Sequence, residues 1–256
     1  MHLLANIENN HTQRIISAII FTCIVCMYTY LIPEKWLFIP FLAIACYGLK
    51  EWCTLIEAMQ VLNNRQQIGC CLVLQAAMVA AVCIPLPQHM LSRTLLLVLA
   101  LIILSNIGYQ ALLEKRLSPK ATCILGCIIQ LYGWYTCIHL VRNDLMLLLS
   151  ISIATISADC SGYYIGRQLK IFQLRPWPWL SPKKTYEGSL AMCITPALIN
   201  IMLGNISMFS ITIGCWALVG DLYISYAKRI AKVKDCGSII PGHGGILDRV
   251  DSHLMV

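Results

Sequence analysis

The acidic residues of this chain are few and unevenly placed. Six of the twelve fall in the last hundred positions: Asp159, Glu187, Asp221, Asp235, Asp248 and Asp251. Asp159 and Asp221 lie inside apolar runs, eight residues before Arg167 and seven before Lys228 respectively. At about 1.5 Å of rise per helical residue, both sit roughly 10–12 Å inside the end of a spanning helix. A carboxylate at that depth costs on the order of 3 kcal/mol unless it is paired or bound to a cation. A structural ion pair or a protonated acid would satisfy either residue alone. Two acids at matched depth, each among small residues, point to a shared cation site. Around a helix starting from Asp221, Ser225, Lys228 and Lys232 fall at about 40°, −20° and 20°. This narrow stripe runs from a buried carboxylate through a hydroxyl to two ammonium groups, and suits a metal at its deep end and phosphates at the rim. Lysines that merely snorkel at a helix end would leave Asp221 unexplained.

Beyond Asp221 the chain reads KRIAKVKDCGSIIPGHGGILDRVDS from Lys228 onward. Pro241-Gly242-His243-Gly244-Gly245 cannot be regular helix and exposes backbone N–H groups, the makings of an anion cradle. Asp248 and Asp251 follow at i and i+3 with Arg249 between them. Upstream, Ser181-Pro182-Lys183-Lys184-Thr185, ahead of Glu187-Gly188, forms a second basic, hydroxyl-rich loop. Together these segments describe a mouth rich in phosphate-binding groups above buried carboxylates, fit for a polyphosphate, a divalent cation and a lipid. Gly162 and Gly166, three and seven positions after Asp159, serve close helix packing and also clear space beside the acid.

The elements that must position these groups are membrane helices. The chain has 256 residues, 58% hydrophobic and 12% charged, with mean hydropathy +0.71. Soluble chains carry about 25% charged residues, so a water-soluble domain and intrinsic disorder are both excluded. Runs long enough to cross about 30 Å of hydrocarbon are 15–32, 36–49, 68–87, 94–113, 121–141, 145–166, 189–206 and 207–226, with 36–49 short. The fold class predicted is all-α: a polytopic integral membrane protein of about eight transmembrane helices. Residues 1–141 form an N-terminal group of membrane helices, and 142–256 the catalytic helices with their cytosolic loops. The run 15–32 is too long for a signal peptide's apolar region and lacks a cleavage site, so it is expected to remain as a helix.

Net charge is +7, from 19 Lys and Arg against 12 Asp and Glu. The basic residues sit in short stretches between apolar runs, which speaks for topology and against nucleic acid as a partner. With both termini in the cytosol, sixteen of the nineteen fall inside and only Lys35, Arg93 and Arg142 outside. Trp36, Trp52, Trp177 and Trp179 stand at run ends as interfacial aromatics do. The prolines of Pro176-Trp177-Pro178-Trp179 forbid a continuing helix, so that segment reads as a membrane-surface anchor. Most of the fourteen cysteines lie in apolar runs, where Cys acts as a small hydrophobe. Cys23 and Cys26, a CxxC filled by Ile24 and Val25, carry no redox or zinc reading in that setting.

These residues resemble the CDP-diacylglycerol synthase (phosphatidate cytidylyltransferase) family, whose C-terminal signature is S-x-x-K-R-x(4)-K-D-x-G-x(3)-P-G-H-G-G-x-x-D-R-x-D. The chain matches it at Ser225, Lys228, Arg229, Lys234, Asp235, Gly237, Pro241, Gly242, His243, Gly244, Gly245, Asp248, Arg249 and Asp251. The S-P-K-K-T-x-E-G block, Asp159, Asp221 and Arg14 also look like the family. The resemblance is strong over 157–252 and diffuse before it. Tyr186 stands where the family often has Trp. The chain ends at Val256, five residues after Asp251, where many relatives continue into another apolar helix, and this is expected to bear on stability or a dimer contact more than on chemistry.

The resemblance implies transfer of CMP from CTP to phosphatidate, giving CDP-diacylglycerol and pyrophosphate with Mg²⁺ and a second cation. The two-cation centre maps to Asp221 and Asp248, with Asp159 and Asp251 nearby. Lys183, Lys184, Lys228, Arg229, Lys234 and Arg249 would meet phosphates, with Ser181, Thr185 and Ser225 lining the substrate site. Asp235 and Asp251 would order basic partners or metal waters, and His243 would touch pyrophosphate or shape its loop. The implied partners are CTP, phosphatidate and the bilayer, with a homodimer compatible. The implied setting is a bacterial inner membrane with the active site facing the cytosol. One rival is a CTP-dependent lipid kinase, which would pass on the γ-phosphate instead. The other is an ion-coupled transporter, disfavoured because a carrier wants polar groups along a through-path and the outer connections offer no such cluster.

Overall fold

The computed structural model describes residues 36–61, 69, 71–76, 79, 119–169, 174–202, 204, 208–239 and 244–256. The predicted spans 15–32 and 94–113, most of 68–87, Arg14, Cys23, Cys26 and Pro241 to His243 lie outside the described residues. Within them the chain is all-helical, without a strand. The helices are α1 (Phe38–Ala58), α2 (Pro119–Asn143), α3 (Leu145–Gln168), α4 (Tyr186–Met202), α5 (Met208–Ile230) and the single turn α6 (Leu247–Val250). A 3₁₀ turn over His253–Met255 follows. Among the described residues, α1, α2 and α3 are long and apolar enough to cross a membrane, which makes this a membrane protein.

Local sequence sets the ends of these helices. Only Asp144 separates α2 from α3, and its carboxylate caps α3 by accepting from the Leu147 N–H at 3.0 Å, a standard use of Asp at a helix start. α1 runs to Ala58, nine residues past the predicted run 36–49, because the polar pair Lys50-Glu51 does not break it. Glu51 is buried, with partners described below. α1 and α5 end alike. The Val61 N–H returns to the Ile56 carbonyl and the Gln60 N–H to Glu57; at α5 the Val233 N–H returns to Lys228 and the Lys232 N–H to Arg229. Both are Schellman closures, with Gln60 at φ 59° and Lys232 at φ 57° in the left-handed position that glycine usually takes. The predicted stripe on α5 therefore stops at Lys228, since Lys232 lies beyond the helical register.

Two packed groups share α5. In the first, α1 and α2 pack together and against α5 and the C-terminal turn, forming the main core of Leu49, Trp52, Ile56, Ile129, Ile138, Tyr223, Ile224, Leu247 and Leu254. Trp52 is wholly buried beside Tyr223 rather than interfacial, and it lies over Gly126, where a β-carbon would collide with its ring. The Tyr223 hydroxyl donates to the Thr122 carbonyl at 2.6 Å. The 251–255 segment crosses two bare glycines: a β-carbon at Gly133 would lie 2.5 Å from the Leu254 carbonyl oxygen, and one at Gly220 would strike that of Asp251.

In the second group α4 packs against α3 and α5. A β-carbon at Gly188 would sit 2.6 Å from the Gly162 carbonyl oxygen and 3.1 Å from Gly166 Cα, so the small residues after Asp159 serve helix packing as expected. Pro196 inside α4 cannot donate to the Met192 carbonyl, and Gly214 of α5 brings its bare Cα against that same carbonyl. The segment after Trp177 docks on α5 through Leu180, buried against Leu222 and Tyr226. Trp179 meets Tyr226 edge-on at 5.8 Å.

Candidate active site

α5 supplies the floor of the site. Asp221 projects beside Gly220, and one of its carboxylate oxygens forms an ion pair with the Lys184 ammonium. The other accepts from the Ser225 hydroxyl one turn later, at 3.3 Å. Lys228, the next group on the same stripe, donates to Asp248 Oδ1 at 2.7 Å. Asp248 thus receives its cation from α5, while its Oδ2 accepts the backbone N–H groups of Cys236 at 2.8 Å and Gly245 at 3.0 Å. Burial alone would raise the Asp248 carboxyl, but the Lys228 ammonium and these N–H donors hold it below the ordinary carboxylate value.

Asp159 enters from α3. It accepts the Ser252 hydroxyl at 3.0 Å, and the Ser252 N–H in turn caps Asp251 Oδ1 at 2.9 Å. Burial first, then the charge of Asp221, push the Asp251 carboxyl well above its usual range; Lys228 opposes the shift and Asp159 adds to it. Asp159, Asp221 and Asp251 therefore lie within electrostatic reach of one another although they come from three separate segments.

The basic loop meets this cluster through Lys184. Thr185 caps α4 by accepting the Gly188 N–H on its hydroxyl at 3.2 Å, and the Ser181 carbonyl accepts the Lys184 N–H at 3.1 Å in the turn before it. Arg229 donates from Nε to the Leu180 carbonyl at 3.1 Å, tying the loop to α5. Lys183, Arg229, Lys234, Asp235 and Arg249 are exposed. His243 lies outside the described residues.

Of the expected anion cradle over 241–245, only Gly244 and Gly245 fall among the described residues. The N–H of Gly245 goes to Asp248, and those of Ile246 and Leu247 go to Glu51 Oε1 and Oε2 at 3.1 and 2.9 Å. These three donors are committed within the protein. Glu51 and Ser252 are the participants that sequence reasoning missed. The available signal for Glu51 was an acid in the middle of an otherwise apolar stretch.

Whether these residues suit a divalent cation can be judged from the donor set. Among the described residues, no three His, Cys, Asp or Glu side chains form a protein-only metal cage. Asp221 is opposed by a lysine and one hydroxyl, and Asp248 Oδ1 by a lysine alone. Such hard oxygens, neutralised by ammonium groups that can be displaced, fit Mg²⁺, which takes one or two carboxylates and completes its shell with substrate phosphates and water.

The sequence model described as the cytidylyltransferase family matches residues 12–256. The chain belongs to this family. A phosphatidate cytidylyltransferase of Synechocystis sp. is 30% identical over 95% of this chain and 92% of its own length. That of Helicobacter pylori is 37% identical over 111 residues, 40% of this chain and 41% of the relative. The chloroplastic phosphatidate cytidylyltransferase 4 of Arabidopsis thaliana is 44% identical over 41% of this chain and 29% of its own. The match thus spans about two-fifths of the Helicobacter family member and nearly all of the Synechocystis one.

Proposed function

We propose that this protein is a phosphatidate cytidylyltransferase, joining CTP and phosphatidate to give CDP-diacylglycerol and pyrophosphate. The observation that carries the reading is the pairing of Asp221 with Lys184 and of Asp248 with Lys228, beside Asp159 and Asp251 joined through Ser252, in a chain matched by the cytidylyltransferase family over nearly its whole length. A lipid phosphate oxygen attacks the α-phosphorus of CTP in line, and the bond from that phosphorus to the bridging oxygen of the β-phosphate breaks to release pyrophosphate. The nucleophile is already anionic, so no general base is needed; the demands are alignment and charge neutralisation.

Mg²⁺ with a second cation, held by Asp221 and Asp248 with Asp159 and Asp251 nearby, would supply electrostatic stabilisation of the transferring phosphoryl group. The chain's own part is to present cations to phosphate. Lys184 and Lys228 have their ammonium groups at the carboxylates, within side-chain reach of a phosphate seated there. Lys183, Arg229, Lys234 and Arg249 line the rim, and Asp235 orders that basic edge. The topology we propose is eight spans with both termini and the site on the cytosolic face of a bacterial inner membrane, residues 1–141 and 142–256 being its two groups and a homodimer its assembly.

The test is purified protein with phosphatidate, Mg²⁺ and CTP labelled at either the α- or the γ-phosphorus. Label entering lipid from the α position alone is the expected result. Label from γ alone would make the protein a lipid kinase and overturn the proposal. No lipid label, together with ion flux into vesicles, would favour the transporter.

A further inference from the structure

Glu51 stands far from the acidic residues of the site in sequence, yet it reaches the segment that bears Asp248. Its side chain is 4% exposed, and it accepts from the Ile246 and Leu247 N–H groups at 3.1 and 2.9 Å. Its carboxylate is pressed between two glycines of that segment. A β-carbon at Gly237 would collide with Oε1, and one at Gly245 would lie 2.6 and 2.7 Å from Oε2 and Oε1. Among the described residues no lysine or arginine forms an ion pair with it. A buried carboxylate lacking a basic partner is expensive, and the donors it has here are these two main-chain N–H groups.

The opposite side of the segment is held by Asp248, through the N–H groups of Cys236 and Gly245. Four main-chain donors, at 236, 245, 246 and 247, are thus shared between two carboxylates, one from α1 and one from the segment itself. Asp248 is thereby fixed with Oδ2 toward the backbone and Oδ1 toward Lys228.

We propose that Glu51 is a positioning residue for cytidylyl transfer: it clamps residues 244–248 to α1 and so sets the orientation of Asp248 and Lys228 at the phosphate site. The proposal rests on the functional reading above, and it assigns to α1 a part in the chemistry performed by α5 and the C-terminal segment. Because Glu51 touches no reacting atom, its removal acts on kcat through misplacement of Asp248 and leaves the lipid KM nearly unchanged.

Glu51→Gln keeps the volume but turns one acceptor into an NH₂ facing an N–H donor. Hydrogen–deuterium exchange of the Ile246 and Leu247 amides is read by mass spectrometry in detergent, beside steady-state kinetics. Loss of a charge-assisted bond should accelerate exchange on the order of ten- to a hundredfold, with kcat down at least tenfold and the phosphatidate KM within twofold. Glu51→Asp, which keeps the charge, should recover part of both. Gly237→Ala, with Glu51 intact but displaced by the new methyl, should reproduce the fast exchange and low kcat, which guards against Glu51→Gln simply failing to fold. Unchanged exchange in Glu51→Gln overturns the clamp, and fast exchange with unchanged kcat overturns its role in the site. If the unaltered protein fails to transfer cytidylyl groups, the functional reading falls, while the exchange comparison still decides the clamp.

Discussion

Asp248→Asn separates the two jobs of the Lys228–Asp248 pair, because the asparagine oxygen can keep both main-chain bonds while its NH₂ confronts the Lys228 ammonium. The side chains are 15% and 6% exposed, so solvent offers Lys228 little relief. Removing one partner of a buried pair costs about 3–5 kcal/mol, and the retained main-chain bonds place this case near 3. That is a roughly hundredfold increase in opening of the Cys236 and Gly245 contacts to residue 248, at 1.4 kcal/mol per tenfold. Cys236 reports it: its side chain is buried in the closed form, so alkylation proceeds through openings. Peptide-resolved alkylation in the absence of Mg²⁺ and CTP should show Cys236 reacting about a hundredfold faster in the variant, with the core residues Cys53 and Cys123 unchanged. Lys228→Met in the same chain removes the stranded ammonium and should recover at least half of the effect on a logarithmic scale. A change below about threefold at Cys236, or equal acceleration at Cys53, would refute the claim that this pair holds the segment.

Other consequences follow from single contacts. Asp221→Asn should abolish turnover while the protein stays inserted, and retained activity in the purified variant would remove Asp221 from the site. Tyr223→Phe loses the 2.6 Å bond to the Thr122 carbonyl and should lower stability by about 1 kcal/mol, read as a fall in thermal midpoint; no fall would show that the hydroxyl contributes nothing net. Gly188→Ala should cost about 1–3 kcal/mol by overpacking, since its methyl would meet the Gly162 carbonyl oxygen at 2.6 Å. Lys232→Gly should raise stability by about 1 kcal/mol because it relieves a left-handed residue at φ 57°; a lower midpoint would mean that the lysine side chain outweighs its backbone strain.

The parts of the fold legible in the sequence were those decided by neighbouring residues. The runs 121–141 and 145–166 end within two residues of α2 and α3 because uninterrupted apolarity fixes them. Asp159 and Asp221 stood out because a carboxylate within such a run has no local means of neutralisation. What was illegible depends on partners remote in sequence. The run 36–49 reads as short because Lys50 and Glu51 follow it, while the donors that satisfy Glu51 come from Ile246 and Leu247. Trp52 looked interfacial because the gap that buries it is made by Gly126 on another helix. The α5 stripe was extended to Lys232 because nothing in the local composition marks the Schellman turn, which here closes without glycine. The donors next to the glycine run are likewise decided from afar: the Gly245 N–H goes to Asp248, and those of Ile246 and Leu247 go to Glu51, nearly two hundred residues away.

The crossing of the C-terminal segment over Gly133 and Gly220 also governs the order in which the molecule can be completed. Leu254 and Met255 belong to the core that α1 and α2 share with α5, yet Met255 is made 112 residues after α2 ends at Asn143. At about 5–20 residues per second of synthesis, that interval is roughly 6–22 s. Throughout it, the helix pair of α1 and α2 lacks its closing wedge, and the groove at Gly133 that awaits Leu254 stays open to lipid or to an insertase. The site is therefore assembled only when residues 251–252 bring Asp251 and Ser252 to Asp159, so a chain stalled before Asp251 would hold α1 to α5 and none of the completed acidic cluster.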